Sequence, residues 1–69
     1  MTYSLQDLVR LIAKRHFCVL ATQGVRGPHL AGVGYFAWGL DIYIPTSSKT
    51  TKARNVRRNS HVAVQIPIP

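Results

Sequence analysis

Cysteine is scarce in this chain of 69 residues, and its scarcity excludes a disulfide-stabilised fold. Cys18 is the single cysteine, so no bridge can form within the chain. A lone thiol in an apolar segment is typical of a reducing compartment, and we therefore expect a cytoplasmic protein. A domain of this size buries only about 60% of the surface that its unfolded chain exposes. We expect a partner chain, or the remainder of a larger domain, to complete the fold.

Long apolar runs are also lacking. None approaches the roughly 18 residues that suggest a membrane span, so we expect no membrane segment. The segment from Met1 to Phe17 lacks both a charged stretch ahead of an apolar core and a small-residue cleavage site, so we interpret it as part of the fold. Repeats, low-complexity tracts and linkers are absent as well. Residues 1–69 are therefore expected to form one domain.

Acidic residues are the third shortage. The chain has two acidic residues, Asp7 and Asp41, and nine lysines and arginines. The resulting formal net charge of +7 favours an anionic partner. With two carboxylates we expect no paired acid/base catalysis. His16, His29 and His61 share no metal-ligand spacing with one another or with the cysteine, so we expect no metal site.

The pattern of residues predicts two helices. Ser4 and Asp7 fit a capping box, and apolar residues follow at helical spacing. They are Leu5, Leu8, Val9 and Ile12. The second helix follows a polar loop, with Ser48 or Thr50 as its N-cap and Asn59 as a left-handed stop. Its core-facing residues are expected to be Ala53 and Val56.

Four strands are predicted around these helices, over residues 17–22, 29–37, 41–45 and 61–66. WGLD is a plausible hairpin connection between the second and third strands. Gly32 and Gly34 indicate a bulge or a close approach of a ligand or backbone in the second strand. Pro67 and Pro69 end the fourth strand. The fold class is mainly β with short helices (α+β), and its open sheet edges invite pairing with another chain.

Hydroxyls and bases surround the predicted start of the second helix, between Thr46 and Asn59. Such a start offers backbone N–H groups and a partial positive charge to an anion. A phosphate monoester would suit this segment, since charge-assisted hydrogen bonds are roughly twice as strong as neutral ones. The alternative is a loop of ordinary hydroxyls before a solvated basic helix face. Composition and spacing alone leave both interpretations open.

The chain resembles the pyridoxamine 5'-phosphate oxidase-like family. The family's LAT and GPH strand pair is present as residues 20–22 and 27–29, and its basic helix and last strand as KARNVRRNSHV, residues 52–62. The resemblance covers nearly the whole chain but only about half of the usual domain, its N-terminal half. Ser60 stands where the family has a proline.

This resemblance implies a flavin-dependent oxidoreductase with a split β-barrel, incomplete in this chain, that binds FMN or the deazaflavin F420 at the interface of a homodimer. The flavin would carry hydride transfer to or from a small-molecule substrate, so no catalytic side chain is expected. The absent half would complete the barrel and contribute to the substrate pocket. The implied cofactor-binding residues are Val33, Gly34, Tyr35, Tyr43, Thr46, Ser47, Thr51, Lys52, Arg54 and Asn55. The alternative for Asn55 is a structural role, in which its side chain hydrogen-bonds to the backbone near the turn.

Two other classes of function stay open. A small basic module could bind nucleic acid, stacking bases on Tyr35, Phe36, Trp38 and Tyr43. The concentration of bases beside hydroxyls suits one compact phosphate better than an extended backbone, which makes nucleic acid the weaker alternative. The other class is a non-catalytic flavin or haem carrier, or a degenerate fragment with a structural role.

Overall fold

A computed structural model of the chain describes residues 4–67. It contains two short helices and five strands, and so confirms the predicted mainly β, α+β class with open sheets. In chain order the elements are α1 (Leu5–Lys14), β1 (Phe17–Gly24), β2 (Gly27–Gly34), β3 (Phe36–Trp38), β4 (Asp41–Tyr43), α2 (Thr51–Arg58) and β5 (Val62–Gln65). The Pro69 predicted to end the last strand lies outside the described residues.

Helix α1 begins with the predicted capping box. The Ser4 N–H donates to Asp7 Oδ2 and the Asp7 N–H donates to Ser4 Oγ, each at 3.1 Å. The helix packs beside β3, and Ile12 contacts the core. Leu5 and Leu8 stay exposed, so the apolar face of α1 is only partly covered within this chain.

The first sheet has the strand order β2-β1-β5 and is antiparallel throughout. Strands β1 and β2 pair along their whole length and are joined by a tight turn between Gly24 and Gly27. This turn requires glycine, because Gly27 has a φ of 129° and a Cβ on Gly24 would lie 2.7 Å from the Gly27 carbonyl oxygen. The turn therefore fixes the register of the two strands.

The predicted strand over residues 29–37 is in fact two strands that belong to different sheets. Strand β2 ends at Gly34, and β3 begins at Phe36 in a second, two-stranded sheet with β4. Tyr35 lies between them, and hydrogen bonds hold both its backbone and its side chain. Its N–H donates to the His16 carbonyl at 2.9 Å, and its hydroxyl donates to the Ile12 carbonyl at 2.6 Å. These bonds to the end of α1 and the segment after it anchor the chain at the point where it leaves the first sheet.

The second sheet is the predicted hairpin. Trp38 pairs with Asp41 across a two-residue turn, and Gly39 has a φ of 61°. A positive φ at the first turn position alone is typical of a type II′ turn, which favours glycine there. Strand β4 ends at Tyr43, two residues earlier than predicted, ahead of Pro45, which has no N–H for a ladder.

Helix α2 begins at the Thr50 cap, whose hydroxyl accepts from the Ala53 N–H at 3.3 Å. The predicted left-handed stop at Asn59 is wrong, since its φ is −144°. Its N–H still bonds the Asn55 carbonyl at 2.8 Å, and the chain then runs extended into β5. Val56, predicted to face the core, is exposed, and Ala53 is half-buried. The residue of α2 that is buried is Asn55.

The core is small and lies where β1 and β2 meet Tyr35. Cys18, Leu20, Val33 and Tyr35 are its buried apolar residues. Cys18 is fully buried, as expected for a small hydrophobe, and burial raises the pKa of its thiol. All four residues of β5 are exposed. The first sheet therefore contributes most of the core, and its β5 edge is uncovered by the described residues.

Candidate functional site

The start of α2 presents N–H groups that the helix itself does not use. The cap takes the Ala53 N–H, and the Arg54 N–H donates to the Thr50 carbonyl at 3.1 Å. Helix geometry gives no intrahelical acceptor to the N–H groups of Thr51 and Lys52. The first turn holds no acidic residue, so nothing in that turn neutralises the positive end of the helix dipole. This arrangement favours an anion.

The loop before α2 is ordered by its own hydroxyls. Thr50 Oγ1 donates to the Ser47 carbonyl at 2.9 Å and lies 3.2 Å from Thr46 Oγ1. Because a hydroxyl has one proton, Thr46 must donate to Thr50 in that contact. Ser47 Oγ accepts from the Lys49 N–H at 3.3 Å, which leaves its own proton for a ligand. These hydrogen bonds fix the loop conformation. Of the two predicted hydroxyl donors, Thr46 uses its proton within the loop, whereas the proton of Ser47 is available to a ligand.

One side of α2 borders a cleft of about 410 Å³ that we call the Lys52 cleft. Half-buried Lys52 lies on it beside Thr46, and aliphatic side chains form most of the rest. Arg57 donates to the Ser48 carbonyl at 2.9 Å, which ties the helix to the preceding loop. The cleft is lined by Leu20, Ile42, Ile44, Thr46, Lys52, Ala53, Val56, Arg57, Ser60 and Val62.

The other side of α2 borders a second cleft, of about 520 Å³, that we call the arginine cleft. Thr51, Arg54, Asn55 and Arg58 follow one another at helical spacing, so they share one face of α2. That face meets the turn between β1 and β2. The lining residues are Gly24 to His29 together with these four. The residues predicted from sequence to form one phosphate site are therefore divided: Thr46 and Lys52 line one cleft, and Thr51, Arg54 and Asn55 line the other.

Both polar atoms of the Asn55 side chain form hydrogen bonds within the protein. Its Nδ2 donates to Thr22 Oγ1 at 2.9 Å, and its Oδ1 accepts from the Arg58 guanidinium at 3.0 Å. Asn55 and Thr22 are only 4% and 3% exposed, so this is a buried polar link between α2 and β1. The geometry agrees with a structural role, although the partner is a side chain rather than the predicted backbone.

The residues predicted to lie against a flavin ring occupy different environments. Val33 and Tyr35 are buried, whereas Tyr43 is exposed and pairs with Phe36 across the hairpin. Gly34 lines a cleft of about 360 Å³, which we call the Gly34 cleft, with His16, Tyr35, Phe36 and Pro45. A Cβ on Gly34 would meet only the His16 carbonyl oxygen, at 3.5 Å, an ordinary contact. Packing within the chain does not require glycine there, so the open space is available to a ligand.

Several cleft residues were missed by the sequence prediction. Arg26 and His29 line the arginine cleft, and Arg57 lines the Lys52 cleft. The GVRGP segment indicates a turn that carries Arg26, but no local signal shows that the turn meets α2. That contact depends on the pairing of β1 with β2 and on the docking of the helix.

Five strands in two open sheets with two short helices form a partial α+β split barrel. The model of the family described as pyridoxamine 5'-phosphate oxidase matches residues 5–67, and the chain belongs to this family. No curated protein and no solved structure gives a significant match. Within residues 4–67, neither helix is long and apolar enough to cross a membrane.

Proposed function

We propose that the chain is the N-terminal half of a flavin-dependent oxidoreductase in the cytoplasm, and that it binds FMN with the phosphate at the start of α2. The observation that carries this proposal is the pair of N–H groups on Thr51 and Lys52, which have no intrahelical acceptor. They belong to the first turn of α2, which holds no acid and contains Lys52, and Ser47 lies in the loop just before it. A phosphate dianion would satisfy all of these donors together.

The remaining binding residues follow from the course of the chain. Pro45 lines the Gly34 cleft, and the next residue, Thr46, lines the Lys52 cleft. A ligand that lies along this segment could place a ring against Gly34 and its phosphate near Lys52. Val33 and Tyr35 would then support the ring site from the core. Tyr43, the cross-strand partner of the cleft-lining Phe36, would approach it from β4.

Thr51, Arg54 and Asn55 have different parts in this proposal. Thr51 offers its backbone N–H, while its side chain lines the arginine cleft. Arg54 contributes positive charge near the helix start rather than a direct contact, since it also lines that cleft. Asn55 positions α2 through Thr22. We propose FMN as the cofactor, with F420, which also carries a phosphate, as the alternative.

The bound flavin would supply hydride transfer with a small-molecule substrate, and the protein would bind and orient it. We propose that a second copy of the chain completes the pocket as a homodimer. The exposed edge strand β5 agrees with such a partner. The chain's residues would hold the phosphate and exclude water from one side of the ring.

The test is a fluorescence titration with FMN and with riboflavin, which lacks the phosphate. We expect FMN to bind more tightly than riboflavin. Lys52→Ala should weaken FMN binding by more than about tenfold, in line with the ~1.5 to 3 kcal/mol of a charged hydrogen bond, and should leave riboflavin unaffected. Lys49→Ala, an exposed lysine of the same loop, is the matched control and should change neither.

Equal loss in the two lysine variants would show that general charge, rather than this site, attracts the cofactor. Binding of F420 but not of FMN would support the phosphate site and identify F420 as the cofactor. A folded chain that binds neither would contradict the proposal.

A further inference from the structure

The arginine cleft is lined by three arginines, of which the flavin proposal uses only Arg54, and only for its charge near the helix start. Arg26 comes from the turn between β1 and β2, and Arg54 and Arg58 come from one face of α2. Lys52, on the other side of the helix, does not line this cleft. Two elements far apart in sequence thus contribute three arginines to the lining of one cleft.

Among residues 4–67, no carboxylate lines the cleft to offset this charge. Asp7 caps α1 and Asp41 lies in β4, and neither lines the cleft. Like charges that converge without a counter-charge repel one another and destabilise the folded chain. An anionic ligand would remove this repulsion.

The cleft is held in shape by contacts that are independent of any ligand. Arg58 donates to the Oδ1 of buried Asn55 at 3.0 Å, which fixes the guanidinium and leaves its other N–H groups for further bonds. The two glycines of the turn fix the opposite wall. The Nδ1 of His29, which lines the cleft, is buried and has no hydrogen-bond partner within residues 4–67. The wall therefore contains a polar atom that protein contacts leave unsatisfied.

We propose that the arginine cleft is a second anion site, separate from the flavin phosphate site, and that it takes the phosphate groups of a small organic phosphate. Guanidinium groups bind phosphate oxygens in a bidentate manner, and three of them suit a diphosphate better than a single charge. A volume of about 520 Å³ falls in the range of small-molecule sites. The three arginines line one cleft rather than an extended stripe, which favours a small ligand over a nucleic-acid strand.

The experiment is a calorimetric titration of the chain with pyrophosphate. The Lys52→Ala variant serves as the background, so that binding at the start of α2 is weakened from the outset. We expect saturable binding in this background. Adding Arg26→Gln or Arg54→Gln should weaken it more than tenfold. Adding Arg10→Gln, a change of an exposed arginine on α1, should leave it unchanged.

Thermal melts of every variant check that the fold is retained, and the two substituted arginines make none of the hydrogen bonds that hold the cleft together. Binding that disappears with Lys52→Ala alone, or that survives Arg26→Gln and Arg54→Gln unchanged, would overturn the proposal. So would a single-stranded oligonucleotide that binds far more tightly than pyrophosphate, with an affinity that falls steeply with salt. Because Lys52 acts only in FMN binding and Arg26 only in pyrophosphate binding, failure of one proposal leaves the other intact.

Discussion

Tyr35 shows how a single residue shapes this fold. Its phenol is buried and donates to the Ile12 carbonyl at 2.6 Å, while its N–H bonds the His16 carbonyl. Burial raises the pKa of Tyr35 above its ordinary value of 10.0, the neighbouring Cys18 raises it further, and Arg15 opposes the shift. The neutral phenol is thus the form that the folded chain requires.

The raised pKa of Tyr35 predicts a loss of stability in alkali. Above pH 10.0 the unfolded chain releases the phenol proton while the folded chain still holds it, so the free energy of unfolding falls as pH rises. Tyr35→Phe should lower stability by about 1 kcal/mol at neutral pH, through the lost hydrogen bond, and should flatten this alkaline decline. Urea unfolding between about pH 8 and about pH 11 measures both effects. Tyr43→Phe, at an exposed position, is the control; an alkaline decline as steep in Tyr35→Phe as in the parent chain would contradict the prediction.

At the scale of elements, the position of α2 determines which residues line each of the two clefts. The helix is tied to β1 by the hydrogen bond between Asn55 Nδ2 and Thr22 Oγ1, and to the preceding loop by Arg57. Its apolar content is low, and its one buried residue is an asparagine. A buried hydrogen bond therefore holds α2 against β1, a role that apolar packing has in most helices.

This link predicts strong coupling between Asn55 and Thr22. Removal of either partner leaves the other buried and unsatisfied, so Asn55→Ala and Thr22→Val should each cost about 1 to 3 kcal/mol of unfolding free energy. The double variant should cost less than the sum, and the difference in a double-mutant cycle measures the coupling. Gln23→Ala, an exposed change on β1, should be nearly neutral. Strict additivity would show that the two side chains act independently and that α2 is held elsewhere.

The sequence predicts those elements whose signals are local. The capping box at Ser4, the hairpin around Gly39 and the start of α2 each depend on a few adjacent residues, and all three are present. The division of the second strand at Tyr35 was missed because it depends on bonds to Ile12 and His16, about twenty residues away. A strand pattern alone does not show a change of sheet.

The candidate site was predictable in composition but not in geometry. The basic, hydroxyl-rich segment at the start of α2 follows from the sequence, and the family follows from its motifs. The sequence treats the segment as one site, whereas α2 separates Lys52 from Arg54 on different faces. The contribution of Arg26 requires the tertiary contact between a turn and a helix. Such contacts have no signature within the segment itself.

At the scale of the whole molecule, residues 4–67 leave many of their large apolar side chains exposed. Phe36, Trp38 and Tyr43 share one exposed face of the β3–β4 hairpin, as their cross-strand register requires, and Trp38 is 80% exposed. Strands β2 and β5 form the two edges of the first sheet. Contiguous exposed apolar residues typically mark a protein interface, and uncovered sheet edges favour pairing. These features support the proposed homodimer and suggest that the aromatic hairpin face belongs to its interface.

The final prediction concerns that interface. We expect the mass from sedimentation equilibrium to rise from monomer to dimer with concentration. The emission of Trp38, the single tryptophan, should shift to shorter wavelength over the same range as the indole leaves water. Trp38→Ser should weaken the dimer by about 1 to 3 kcal/mol, or roughly tenfold to a hundredfold, as removal of a buried interface aromatic does. Val25→Ser replaces an equally exposed apolar residue on the other hairpin and should leave the dimer unchanged. A mass change without an emission shift would place the interface elsewhere, at the sheet edges, because only burial of the hairpin face changes the surroundings of Trp38.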